Sequence, residues 1–395
     1  MSEATAQKAL AQLDRSPRPR DIRRAGRALV GSVLRAKLSP SARAVQGRRD
    51  AFHRELWLIA ADRLGMRAAA TGGSAVTVQL PDRPFSISRS GSTIEDAAAL
   101  ERAGDKERTA RALAAHGIPV PEQMVTSLAR LDEVEPFLAR HGTVVVKPAL
   151  DTSAGRGVTT SVRDAASLRT AAIAAAAAGS RAGRTSRSGS VIGRLRAKYR
   201  ALADVPLLVE RQVRGANYRL LYLDGELIDA VRRAVPTVVG DGHSTVRGLV
   251  LRSSVDREAS PVERGGLVVT VDEDMRLTLA GQRLTLGSVP AAGTVVTLKT
   301  AVNEGAIADQ QPAWPQLCAD VVEQGAEAAR LVGGRLVGVD VITTDPSVPL
   351  AVAGGVVLEV NTTPGLVYHY HGNPGGVDVA TVVLARLAGV RVSTS

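Results

Sequence analysis

The sequence is poor in cysteine, in aromatic residues and in long apolar runs. Cys318 is the single cysteine among 395 residues, so no disulfide can form within the chain. This usage is typical of a reducing cytosol, and the thiol is better explained as core packing than as a nucleophile. The aliphatic run at 170–179 is far too short to span a bilayer, and residues 1–24 lack the apolar core of a secretory signal. We expect a cytoplasmic protein with no membrane partner.

The net charge of +11 is carried almost wholly by arginine. A basic surplus can indicate nucleic-acid binding. Aromatic residues make up only 3% of the chain, however, and none interleaves with the basic segments as stacking on single strands would require. Binding of phosphates and anionic substrates also explains the arginines. We therefore expect no nucleic-acid partner.

The chain length suggests two to three domains. Strand and helix patterns alternate irregularly, which predicts an α/β protein with mixed sheets. We assign a basic N-terminal arm to residues 1–50 and a small α/β region to 51–104, and we expect 240–310 to be loop-rich with short strands. In the segment after residue 48 an apolar stripe predicts a helix; its members are Leu56, Leu58, Ile59 and Leu64.

The segment VVVKPAL places Lys147 at the end of an apolar strand, shortly before the turn Gly155-Arg156-Gly157. A glycine-bearing turn exposes backbone N–H groups that can hold phosphate oxygens, and the lysine adds a positive charge. The chain has no Gly-Lys-Ser/Thr helix start of the Walker type. Taken alone, the turn is explained by either a purely structural role or a phosphate-binding role.

Glu359 and Asn361 lie two residues apart in the apolar stretch VVLEVN, and Asp340 lies in a second apolar stretch, LVGVDVI. Residues i and i+2 of a strand share a face. Buried acids without partners are costly, and two carboxylates with an amide oxygen suit Mg²⁺ or Mn²⁺ better than zinc. A salt-bridged acidic patch is the alternative; the residue set favours the metal.

A third candidate stretch is LLVERQVRGANYR. If Lys147 and Glu210 lie on facing segments, the peptide groups from Glu210 to Val213 could bind an adenine edge. Asn217 could then meet a ribose hydroxyl. This pattern is unspecific by itself.

In this order, these stretches resemble the ATP-grasp superfamily, and in particular the ATP-grasp portion of cyanophycin synthetase. The resemblance runs from about Asp105 to the last helix, through GDKERTARALAAHGIPVPE, VVVKPALDTSAGRGVT, GVDVITTD and GGVVLEVNTTPGLVYHYH. It implies an ATP-grasp fold in which two α+β subdomains clamp ATP. The ATP-grasp domain would span 105–390, with a lid subdomain at about 140–206 that carries an Arg/Ser-rich insertion at about 175–200.

The resemblance also implies roles for individual residues. Those assigned to ATP are Lys106 and Lys147 at the phosphates, Ser153, Ala154, Gly155, Arg156 and Gly157 in a loop over the β- and γ-phosphates, Glu210, Arg211 and Val213 at the adenine, and Asn217 at the ribose. Those assigned to two Mg²⁺ ions, for which Mn²⁺ could substitute, are Asp340, Glu359 and Asn361. Arg219 and Arg233 would act as catalytic residues at the γ-phosphate and the transferred group.

The implied reaction is ATP-dependent ligation of a carboxylate to an amine through an acylphosphate, with an amino acid or short peptide as substrate. The oligomeric state is left open between a monomer and a homo-oligomer. The alternatives are a ligase that adds amino acids to a protein or peptide terminus, and a binding protein that retains the fold without catalysis. His369 or His371 could take the proton of the amine, or both could shape the pocket wall. The Mur-ligase-like domain of cyanophycin synthetase has no counterpart here, so we do not expect synthesis of cyanophycin itself.

Overall fold

The computed structural model describes residues 40–89, 91–150, 155–180, 202–260, 266–362, 364–370 and 377–390. Most of the expected basic arm and of the Arg/Ser-rich insertion lies outside these ranges. So do three candidate site residues, Ser153, Ala154 and His371. Across the part of the chain that is described, no helix combines the length and apolarity needed to cross a membrane.

Helices and strands are interspersed irregularly along the described part of the chain. The helices are α1 Pro40–Arg63, α2 Ala97–Gly104, α3 Lys106–Ala115, α4 Glu135–His141, α5 Ala165–Gly179, α6 Val246–Ala259, α7 Glu273–Gly281, α8 Ala319–Val332, α9 Leu350–Ala353 and α10 Val379–Leu387. The strands are β1 Ala68–Gly72, β2 Ala75–Gln79, β3 Pro84–Ser88, β4 Gly91–Ser92, β5 Gln123–Thr126, β6 Val144–Pro148, β7 Thr159–Val162, β8 Leu207–Arg211, β9 Ala216–Leu223, β10 Glu226–Arg233, β11 Thr237–Val239, β12 Val295–Thr297, β13 Gln311–Pro312, β14 Leu336–Thr343 and β15 Val356–Asn361.

The chain divides into two compact units, and the first includes Gln123–Arg211, which is described except for residues 151–154 and 181–201. It contains a four-stranded sheet in the order β5-β8-β6-β7, with α5 packed on β6 and β7. Asp164 is the N-cap of α5. Its side chain accepts from the backbone N–H of Ser167, and the Ser167 hydroxyl oxygen accepts from the backbone N–H of Asp164, so the pair forms a capping box.

The second unit, Pro40–Glu122 and the residues from Gln212 onward, is built on a five-stranded sheet in the order β13-β10-β9-β14-β15. One face of this sheet packs against α8 through a core that includes Tyr222, Ala328 and Val339. The other face contributes Leu221 and Leu336 to a core shared with α1, α10 and the meander β1–β4. Every pair of strands described is antiparallel, so the expectation of mixed sheets is wrong and the fold is α+β.

Two local expectations also differ from the structure. In α1 the buried residues include Leu56 and Trp57, whereas Ile59 of the predicted stripe is 52% exposed. The region 240–310 contains helices α6 and α7 beside the β11–β12 pair. Thr245 and Asp272 cap these two helices through their side chains, and such N-cap residues are the sequence signal that could have revealed them.

Candidate functional site

A row of charged side chains crosses three neighbouring strands of the five-stranded sheet. Asp340 on β14 lies directly opposite Arg219 on β9 and, on its other side, directly opposite Glu359 on β15. Opposite residues of antiparallel strands project from the same face. Asn361 follows Glu359 by two residues and pairs with Gly338. The prediction that Asp340, Glu359 and Asn361 come together on one face is therefore confirmed.

Asp340 is the most enclosed member of the row, with 2% of its surface exposed. Arg219 donates to both of its carboxylate oxygens, from Nε to Oδ1 and from Nη2 to Oδ2, the latter at 3.0 Å. Arg233 donates from Nη2 to Oδ2 at 2.6 Å. A carboxylate can accept about four hydrogen bonds. The three arginine contacts leave room for about one further partner.

The pKa values of the two arginines are shifted in opposite directions by burial and by the Asp340 charge. Burial lowers the pKa of Arg219, but the Asp340 carboxylate and its hydrogen bonds outweigh burial and hold that pKa above its ordinary value. For Arg233, burial and the neighbouring Arg219 charge outweigh the attraction of Asp340, so its pKa is lowered. Both guanidinium groups remain charged because the ordinary pKa of arginine lies above about 12.

Gly338 leaves space on the sheet for the Arg219 side chain. A Cβ atom built on Gly338 would lie 3.0 Å from Cδ of Arg219 and 2.9 Å from Cβ of Pro364. Both distances are shorter than ordinary van der Waals contact. A side chain at position 338 would therefore crowd the Arg219 side chain along its path to Asp340.

A polar cage holds Arg233. Its Nε donates to Oδ1 of Asn217 at 2.7 Å, and its Nη1 donates to Oδ1 of Asn303 at 3.3 Å. Its guanidinium carbon lies 5.8 Å from the ring centroid of Tyr368, whose hydroxyl donates to the carbonyl of Asn303 at 3.1 Å. The ribose role of Asn217 stays a prediction. The contact that Asn217 makes here instead fixes the orientation of Arg233.

Lys106 and Glu359, which the resemblance assigns to the phosphates and to the metal, form an ion pair with each other. Lys106 is the first residue of α3, directly after the N-cap Asp105. The side chains keep 13% and 26% of their surface exposed. This pair is therefore more open to solvent than the arginine contacts of Asp340.

Asn361 completes the proposed metal set. Its Nδ2 is buried and has no hydrogen-bond partner among the described residues, and leaving such a donor unpaired costs about 1–3 kcal/mol. The oxygen and nitrogen of an amide can be exchanged by rotating the group, and a hard cation would bind the oxygen. Two carboxylates and an amide oxygen fit Mg²⁺ or Mn²⁺. Within the described ranges, no group of three or more His, Cys, Asp or Glu side chains is placed so that it could hold a metal ion, and metal binding by Asp340, Glu359 and Asn361 stays a prediction.

The first unit contains most of the other candidate residues. Lys147 on β6 and Glu210 on the neighbouring strand β8 form an ion pair of 2.6 Å, with side chains 7% and 3% exposed, so the condition set for an adenine site, that the two lie on facing segments, is met. Arg211 is the last residue of β8, and Val213 follows at the start of the second unit. Nucleotide binding by these residues stays a prediction.

The turn Gly155-Arg156-Gly157 needs both of its glycines. Their φ values are +68° and +79°, a region that residues with a side chain rarely adopt. A Cβ atom on Gly157 would also lie 2.5 Å from Cβ of Ala178 in α5. Packing against α5 thus accounts for Gly157, and the phosphate-binding role of the turn stays a prediction.

The contact between Asp229 and His369 was not predicted from the sequence. Nδ1 of His369 lies 2.6 Å from Oδ2 of Asp229. Asp229 precedes Arg233 by four residues on β10, on the same face. The two partners are 140 residues apart in the chain, and no sequence pattern connects them. His371, the other histidine considered as a base, lies outside the described residues.

Comparison with solved structures identifies the fold. The bifunctional glutathione synthetase from Pasteurella multocida matches with a TM-score of 0.50 and 19% identity, over 85% of this chain and 43% of that chain. At this identity the match shows the fold alone. The ATP-grasp fold expected from the sequence is confirmed.

By sequence, the chain is similar to cyanophycin synthetase. It is 30% identical to cyanophycin synthetase from Nostoc over 275 residues, which make up 68% of this chain and 27% of that protein. It is 28% identical to the glutathione biosynthesis bifunctional protein of Streptococcus mutans over 190 residues, 47% of this chain and 25% of that protein. The chain thus spans about a quarter of the length of these curated relatives. No protein-family model matches it.

Proposed function

We propose that this protein is an ATP-dependent ligase that joins a carboxylate to an amine through an acylphosphate and releases ADP and phosphate. The carboxylate substrate is an amino acid or a short peptide. The relatives support this proposal, since they are named as a synthetase of cyanophycin and as a protein of glutathione biosynthesis. The reaction takes place in the cytoplasm, in keeping with the single cysteine.

The observation that carries the proposal is the row Arg219–Asp340–Glu359 on one face of the sheet. Phosphoryl transfer needs little covalent chemistry from a protein, so catalysis consists of positioning and charge neutralisation. Buried cations beside metal-binding carboxylates are the groups that this task requires. Arg219 and Arg233 would stabilise the charge that develops on the transferred phosphoryl group and on the oxyanion that follows. Removal of one such group would slow turnover by about 10²–10³-fold.

The nucleotide and its metal ions are assigned to further residues. Asp340, Glu359 and Asn361 would hold two Mg²⁺ ions, which neutralise phosphate charge when bound. Lys106 would leave Glu359 to contact phosphate oxygens. The residues assigned to ATP in the first unit are Lys147, Gly155, Arg156, Gly157, Glu210 and Arg211.

The test is ATP consumption by the purified protein with Mg²⁺ and single amino acids, amino-acid pairs or dipeptide pools. ADP release that requires both a carboxylate and an amine, together with a condensed product in mass spectra, supports the proposal. ADP release only with a polypeptide indicates a ligase that modifies protein termini. No ADP release with any mixture overturns the proposal and leaves a binding protein with the ATP-grasp fold.

A further inference from the structure

The Asp229–His369 pair is buried beside the candidate active site. His369 is 1% exposed and Asp229 is 5% exposed, as enclosed as Arg219 and Arg233 at 6% and 5%. Burial therefore does not separate the pair from the residues assigned to catalysis. A protonatable side chain in such a place needs an explanation in terms of what it contacts.

The contacts of the imidazole define its hydrogen-bonding state. Since the Asp229 carboxylate can only accept, Nδ1 of His369 carries the proton and donates it across the 2.6 Å contact. In the neutral ring, Nε2 then has a free lone pair. This atom is buried and has no hydrogen-bond partner among the described residues. The pair thus presents a base oriented by a carboxylate, with its acceptor atom unused.

The pair also adjoins the arginine cluster. Asp229 lies directly opposite Leu221, so Arg219, two residues from Leu221, is its diagonal neighbour on the same face, within about 8 Å. On the other side, Tyr368 precedes His369 and lies against the Arg233 guanidinium. Arg219 is thus a near neighbour of Asp229 on the sheet, and Arg233 is connected to His369 through the adjacent Tyr368.

Formation of an amide requires a proton acceptor at this point. The attacking nitrogen forms a bond to the acyl carbon, and the bond between that carbon and the phosphate oxygen breaks. Phosphate leaves with the electron pair, and the nitrogen must lose a proton. We infer that Nε2 of His369, with its ring oriented by Asp229, accepts this proton from the amine substrate. The inference rests on the proposed ligase function and adds the residue that serves its second step.

A purely structural role would explain only half of these observations. The Asp229 contact ties the short helical turn Leu366–His369 to β10, and this holds Tyr368 against Arg233. Such a tie needs Nδ1 alone. It gives no reason for a buried acceptor atom that has no partner among the described residues, since most buried polar atoms in proteins are hydrogen-bonded.

The test separates the two steps of the reaction by changing the nucleophile. Wild-type protein and H369Q are incubated with ATP, Mg²⁺ and a pool of the twenty amino acids, with or without hydroxylamine. Hydroxylamine is largely uncharged at neutral pH and traps an acylphosphate as a hydroxamate without the help of a base. We expect H369Q to lose amide formation by about 10²–10⁴-fold while hydroxamate formation persists.

Two further variants serve as controls. H243Q removes a histidine that also faces an aspartate, Asp241, but whose side chain is 76% exposed, and it should form amide at the wild-type rate. D229N keeps the shape of the partner but weakens its hold on Nδ1, and should show a smaller loss in the same step. D229N also provides the test if H369Q does not fold, as judged by thermal unfolding.

The outcomes distinguish the two proposals. If wild-type protein forms neither amide nor hydroxamate, the ligase proposal is overturned, and this inference with it. If wild-type protein is active and H369Q or D229N loses amide and hydroxamate formation equally, the pair is structural. Amide formation by folded H369Q at the wild-type rate also overturns the inference while leaving the ligase proposal intact.

Discussion

The two carboxylates of the charged row should respond differently to loss of charge. Asp340 and Glu359 lie opposite each other and share a proposed role at the metal. Asp340 is 2% exposed and bonded by two buried arginines. D340N leaves these cations without a counter-charge, and breaking a buried ion pair in this way costs about 3–5 kcal/mol.

Glu359 sits in a more solvated pair. Its side chain is 26% exposed and that of Lys106 is 13% exposed, against 3–7% for Asp340 and its two arginines, so solvent screens this pair more than the Asp340 contacts. E359Q should therefore lose less stability to urea than D340N. Its ATP-dependent turnover should nevertheless be abolished, because the amide cannot replace a carboxylate that neutralises metal charge.

Urea unfolding measured by circular dichroism, together with ADP release, separates these effects. A suitable control is D224N, which removes the charge from an exposed pair with Arg335 whose contacts are 2.6 and 2.8 Å. D224N should retain both turnover and stability. Turnover by E359Q would refute the metal assignment, and equal destabilisation by D340N and E359Q would refute the argument from burial.

Two further predictions follow from packing and from burial. G338A should displace Arg219 from Asp340 and lower turnover, measured as ADP release. The control G287A adds a Cβ that would meet only a hydroxyl at 3.8 Å, and it should release ADP at the wild-type rate. Burial lowers the pKa of His53 from 6.5 to about 4, so the folded state binds this proton less readily than the unfolded state. The His53 contribution to the free energy of unfolding should be fully present above pH 6.5 and should fall by about 3 kcal/mol as the pH drops to about 4. Urea unfolding at several pH values measures this fall, and H53Q should abolish it.

Local spacing in the sequence was sufficient to predict one face of the site. Glu359 and Asn361 are two residues apart on a strand, and this alone places their side chains together. This prediction holds because it depends on strand periodicity alone.

The partners of these residues could not be predicted in the same way. The Arg219–Asp340 contact depends on the register between β9 and β14, and a shift of one residue would turn every side chain to the other face. The Lys106–Glu359 and Asp229–His369 pairs join residues 253 and 140 positions apart. Sequence spacing carries no signal for such contacts, whereas an N-cap such as Thr245 acts within a few residues and could have been recognised.

The balance of charge explains how one face can hold so many ionised groups before any ligand binds. Three cations, Lys106, Arg219 and Arg233, face two carboxylates, Asp340 and Glu359, and each carboxylate is bonded to at least one cation. A nucleotide brings phosphate oxygens that compete for the cations, while magnesium competes for the carboxylates. If the nucleotide bound alone, it would draw the cations away and leave the carboxylates unpaired; if magnesium bound alone, the cations would be left unpaired. The arrangement is therefore suited to binding both together.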